Sequence, residues 1–105
     1  PGILRAHVIE EARIKSWPFE KMSDLMALMD YVRERWKYPD YWDEEDVADD
    51  IVPGHTLREY RVSTGGWSGN EDLIGALESN VMFAMVARWS WRRGGHYVYR
   101  IPYDR

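Results

Sequence analysis

Ala87-Arg88-Trp89-Ser90-Trp91-Arg92-Arg93-Gly94-Gly95-His96-Tyr97-Val98-Tyr99-Arg100-Ile101 is the stretch that decides the fold. Trp89 and Trp91 alternate with Arg88, Ser90 and Arg92, which is strand spacing. Gly94-Gly95 supplies the positive φ that a tight hairpin needs. Tyr97, Tyr99 and Ile101 then alternate with His96, Val98 and Arg100, and Pro102 ends the run. The stretch therefore predicts a β-hairpin over 87–101.

Working outward, the residues just before the hairpin have a helical period. Leu73, Ile74, Leu77 and Val81 lead into Phe83-Ala84-Met85-Val86. The pattern begins amphipathic and ends apolar on all sides, so it predicts an enclosed helix over 73–86. Ser68-Gly69-Asn70-Glu71 has the capping-box form, with Ser68 as the expected cap. Before it, Gly65-Gly66 predicts a turn, and Leu57, Tyr60 and Val62 predict a strand over 57–63. Leu25, Leu28, Met29, Val32 and Trp36 lie on one helical face, stopped by Pro39. Residues 3–16 fit either a strand, with Leu4, Ala6 and Val8 on one face, or a short helix, which Glu10, Glu11 and Ala12 favour as poor strand residues. The expected fold class is α+β: a small antiparallel sheet of strand 57–63 plus hairpin 87–101, with two to three helices packed on one face.

The chain has 105 residues, which suits one domain spanning 1–105. Six Trp, seven Tyr and two Phe supply much of its apolar bulk. With no cysteine, disulfides, thiol catalysis and Cys-based zinc sites are excluded. No apolar run approaches the roughly 20 residues that span a bilayer, so no membrane association is expected. No basic-then-apolar leader is visible, and a cytoplasmic location is expected.

Charge is segregated. Asp40, Asp43, Glu44, Glu45, Asp46, Asp49 and Asp50 have no base among them; the rest of the chain has eleven acids against fourteen bases. Segment 40–54 predicts an acidic surface loop, with room for one short helical turn anchored by Val47 and Ile51 and ended by Pro53-Gly54. Asp43, Glu44, Glu45 and Asp46 are its candidate partner-binding residues, offering carboxylates to a basic groove on a partner.

The other candidates cluster on the two glycine turns. Trp67, Ser68 and Asn70 lie on the first; Arg93 and His96 flank the second. A glycine-rich turn into a helix often binds phosphate. Here Glu71 and Asp72 oppose an anion, and the Lys of a phosphate loop is missing. Gly66-Trp67-Ser68-Gly69 falls one residue short of a nucleophile elbow, which requires Gly-x-Ser-x-Gly. His7, His55 and His96 are scattered, so no metal site is expected. No catalytic residue and no cofactor are expected either. Arginines interleaved with aromatics on a sheet suit single-stranded nucleic acid. Alternation that buries the rings and solvates the arginines is the plainer account, so nucleic acid is not the favoured partner.

Trp17-Pro18-Phe19, Tyr31-Val32-Arg33-Glu34-Arg35-Trp36, Ser63-Thr64-Gly65-Gly66-Trp67-Ser68-Gly69-Asn70-Glu71 and Arg92-Arg93-Gly94-Gly95-His96-Tyr97-Val98 together resemble a group of small uncharacterised bacteriophage and prophage proteins. Segment 40–54 looks like the region where such proteins differ most. The resemblance implies a phage context in a host cytoplasm and carries over no catalytic residue. The leading expectation is a non-catalytic binder or inhibitor of a host protein. The alternative is a small-ligand or nucleotide pocket between the Gly65–Asn70 and Arg92–Tyr97 turns. Composition and spacing do not set the oligomeric state.

Overall fold

The computed structural model describes residues 2–93 and 95–103, with side chains from 8 to 87 and from 95 to 103. Gly94 of the hairpin turn lies outside the described residues, as do the side chains of Arg88, Trp89, Trp91, Arg92 and Arg93. Helix α1 spans Gly2–Lys15 and α2 spans Met22–Arg35. A single 3₁₀ turn, Pro39–Tyr41, leads into β1, Trp42–Ala48. Strand β2 is Thr56–Ser63, α3 is Ser68–Ser79 and α4 is Val81–Val86. The hairpin is β3, Arg88–Arg93, and β4, His96–Pro102. The α+β class holds, and the sheet is antiparallel with order β1-β2-β4-β3.

The sheet has one strand more than the sequence predicts. The acidic segment is not a loop; most of its acids lie on β1. Asp, Glu and Ala are poor strand formers, but β2 supplies arginines in register. Asp43 pairs across from Arg61, and Asp46 from Arg58. Arg61 Nη2 lies 2.5 Å from Asp43, and its Nη1 lies 2.7 Å from Glu45 and 2.8 Å from Glu59. Arg58 bridges Glu44 and Asp46, each at 2.9 Å. Cross-strand ion pairs favour the ladder where propensity does not.

The predicted 73–86 helix is two helices. Asn80 is extended, with ψ 117°, and ends α3. Its side-chain oxygen accepts from the Phe83 N–H at 3.0 Å and so caps α4. Its amide donates to the Ile14 carbonyl at 2.9 Å and fixes the end of α1 there. Ser68 is not the cap of α3. Trp67 holds that position without a side-chain bond, so Ser68 is already helical. At α2 the first turn is held by Asp24, whose carboxylate accepts from the Glu20 and Lys21 N–H groups at 2.8 and 3.0 Å.

The core lies between the helices and one sheet face. Leu25, Leu28, Met29 and Val32 come from α2, and Leu73, Ile74 and Leu77 from α3. They meet Trp42, Tyr60, Val62, Tyr99 and Ile101 from the sheet. Edge-on ring pairs join Trp36 to Trp42 and Phe83 to Tyr99, with centroids 5.3 and 5.1 Å apart; each such pair contributes roughly 0.5–1.5 kcal/mol beyond its buried area. The irregularity between Trp89 and Trp91 places them opposite Tyr99 and Val98, which are neighbours in β4. Simple alternation would have placed them two residues apart.

Candidate functional site

The two glycine turns meet. The Thr64 N–H donates to the Gly95 carbonyl at 3.0 Å, and Ser63 pairs with His96 at the start of β4. Gly65 and Gly66 both have positive φ, 61° and 74°. The Trp67 N–H donates back to the Thr64 carbonyl at 3.0 Å and closes a four-residue turn. Positive φ at both central residues is why this turn requires Gly-Gly.

The segment linking α2 to β1 lies across this turn. The Trp36 indole donates to the Ser63 carbonyl at 3.1 Å. Asn70 accepts from the Lys37 N–H and donates to the Lys37 carbonyl, both at 2.8 Å. Tyr38 then adopts φ 67°, a left-handed conformation uncommon outside glycine. Its ring meets that of Tyr41 at 5.6 Å, and both rings cover Gly65. A Cβ on Gly65 would stand 2.6 Å from Tyr41 Cε2, so the rings sit where only glycine leaves room. Lys37 Nζ lies 5.9 Å from the Tyr38 ring and 5.1 Å from that of Trp67.

The result is an aromatic surface. Tyr38, Tyr41 and Trp67 are 45%, 48% and 44% exposed. Beside it opens a shallow groove of about 440 Å³, lined by Asp40, Tyr41, Asp43, Arg61, Ser63 and His96 among others.

The charges in the groove restrict its ligands. Arg61 is held by three carboxylates, Asp43, Glu45 and Glu59, which raise its pKa further. The Arg61 hydrogen bond in turn holds Asp43 below the usual carboxylate range. An incoming phosphate would have to displace those acids. At the head of α3, Thr64 Oγ1 lies 3.5 Å from Glu71. The groove therefore suits a neutral or cationic group better than an anion.

No family model, curated protein or solved structure matches the chain.

The predicted site residues separate. Trp67 is exposed on the aromatic surface, and His96 lines the groove. Asn70 is fully buried; both ends of its amide are used by backbone, so it is structural. Ser68 is exposed at the start of α3, and among the described residues no hydrogen bond joins it to His96. The Arg93 side chain lies outside the described residues. Asp43, Glu44, Glu45 and Asp46 are all paired with Arg58 or Arg61. Among the described residues, no three His, Asp or Glu side chains could hold a metal ion, and no helix is long and apolar enough to cross a membrane.

The sequence does not single out Tyr38 and Tyr41, and marks Asp40 only as the first acid of segment 40–54. Tyr38-Pro39-Asp40-Tyr41 does carry a signal: an aromatic before proline, in a stretch too short for any element to bury both rings.

Proposed function

We propose that the chain is a phage-type accessory protein that binds a host protein without catalysis, in the host cytoplasm, through the surface of Tyr38, Tyr41 and Trp67. One observation carries the proposal: three large rings are each left nearly half exposed, the two tyrosines packed over Gly65 and Lys37 Nζ 5.1 Å from the Trp67 ring. Tyr and Trp are enriched at the centres of protein interfaces. Rings already held in one conformation lose little entropy on binding. The acidic strand supports partner binding less well, because its carboxylates already have arginine partners.

Affinity capture from bacterial lysate tests the proposal. The Tyr41→Ala, Trp67→Ala double variant is expected to lose a discrete partner that the wild type retains. A control variant keeps the aromatics and neutralises two of the acids, as Asp43→Asn with Glu45→Gln, and is expected to retain it. Equal recovery by all three proteins would rule out the aromatic surface.

Convergence of the two turns favours a second reading, a small ligand in the 440 Å³ groove. Its chemistry is neutral or cationic. A thermal-shift panel separates the classes, since a ligand at 100 times its Kd adds about 2.7 kcal/mol. A shift with nucleotides alone would contradict the charge assignment.

A further inference from the structure

The two open edges of the sheet carry opposite charge. In the order β1-β2-β4-β3, β1 and β3 are the edges. Strand β1 holds Asp43, Glu44, Glu45 and Asp46; β3 holds Arg88, Arg92 and Arg93. Among the described residues each β1 acid has an arginine partner, but those arginines are shared. Arg61 serves Asp43, Glu45 and Glu59 together, and Arg58 serves both Glu44 and Asp46. Of these five acids, Glu44 and Glu59 gain a further arginine, from Arg33 at 3.4 Å and Arg100 at 3.0 Å.

We propose that copies of this chain associate head to tail, with β3 of one copy pairing against β1 of the next. Charge excludes the alternatives. Acidic β1 against a second β1 places like charges side by side, and so does basic β3 against a second β3. Strand direction agrees. Every neighbouring pair is antiparallel, so β1 and β4 run one way and β2 and β3 the other. A copy displaced sideways, without turning over, brings β3 against β1 in the antiparallel sense and continues the sheet. An edge strand leaves a row of backbone donors and acceptors unpaired, which is the template for this addition. The contact joins two different surfaces, so each added copy presents a fresh edge and growth can pass a dimer. The irregularity between Trp89 and Trp91 breaks β3 into short runs, so each contact is weak and association follows concentration.

Sedimentation velocity over a dilution series tests this in the wild type. The Debye length is about 30 Å at 0.01 M salt and about 3 Å at 1 M. At the lower salt the mass is expected to grow past a dimer with no plateau. At the higher salt it is expected to return to monomer. A monomer at both salts, or a plateau at dimer, overturns the proposal.

Two end-blocked variants test the interface itself. Asp43→Asn with Glu45→Gln weakens β1, and Arg88→Gln with Arg92→Gln weakens β3. Each alone is expected to lose all species above monomer at low salt. Mixed, they retain one good edge apiece and should form a one-to-one dimer and nothing larger; a mixture that stays monomeric overturns the pairing. Ala48→Pro gives a second route that changes no charge. The Asp49 N–H bonds to the His55 carbonyl, so by alternation the Ala48 N–H faces the open edge. Removing that donor from a strand edge is tolerated by the fold and is expected to reduce the low-salt oligomer. An unchanged oligomer would exclude backbone pairing.

Discussion

Asn70 and Lys37 exchange a pair of hydrogen bonds across 33 residues of chain, from the Lys37 N–H to the Asn70 oxygen and from the Asn70 amide to the Lys37 carbonyl, each at 2.8 Å. The same amide also reaches the Thr64 carbonyl at 3.3 Å. One fully buried side chain thus imitates a strand neighbour for the linker that bears Tyr38 and Tyr41.

Asn70→Ala should therefore act as a core mutation. It leaves two Lys37 backbone groups without a partner, each costing roughly 1–3 kcal/mol if water cannot reach it. A loss of about 2–4 kcal/mol in urea unfolding is expected, together with weaker binding through the aromatic surface. A loss below about 0.5 kcal/mol would mean that water replaces the amide.

Gly65 and Gly66 should respond differently to alanine. Both have positive φ, and each alanine incurs roughly 1–2 kcal/mol for that conformation. At Gly66 the added Cβ meets open space. At Gly65 it meets Tyr41 at 2.6 Å. Gly65→Ala should be the more destabilising and should displace the tyrosine rings, read as a change in near-ultraviolet dichroism that Gly66→Ala lacks.

Leu77 is fully buried in α3, facing the core. Leu77→Ala should cost roughly 2–5 kcal/mol, the range for a buried leucine that leaves a cavity. Phe83→Leu, just beyond the Asn80 break, should cost less because most of the volume remains. Chemical denaturation with an unchanged m-value checks both.

The pH dependence follows from β1. Asp43 is lowered by its hydrogen bond to Arg61, and Asp46 by its bonds to Tyr103 and Arg58. At Glu44, burial opposes ionisation, but the Trp42 indole, Arg58 and Arg33 outweigh it and lower the pKa. Groups with depressed folded pKa values contribute stability above the ordinary carboxylate range, about pH 4, and lose it as pH falls through the folded values. Asp30 has the opposite sign. Burial and then Glu44 raise its pKa, so its charge opposes folding at neutral pH. Asp30→Asn should raise stability at pH 7 and steepen the acid limb. Glu44→Gln should lower stability at pH 7 and flatten that limb. Urea midpoints from pH 7 down to about pH 3 give both slopes.

Local sequence settled the elements whose residues obey one rule throughout. The Leu25–Trp36 stripe, the period change at Ala87 and the hairpin turn at Gly95 read directly as α2 and the hairpin. Gly65-Gly66 read directly as a turn, since only glycine takes two successive positive φ angles cheaply. Where local preference is overruled from a distance, the sequence misleads. Asp43 to Asp46 looked like a solvated loop because their arginines lie 12 to 18 residues away, and register alone brings them together. Residues 73–86 looked like one helix because the break at Asn80 is stabilised by the Ile14 carbonyl, 66 residues distant. Asn70 reads as a ligand-binding residue on a turn, because the Lys37 backbone that takes up its amide lies 33 residues away. The aromatic surface is of the same kind: the sequence determined the glycines that make room, and only the tertiary structure decided which rings fill it.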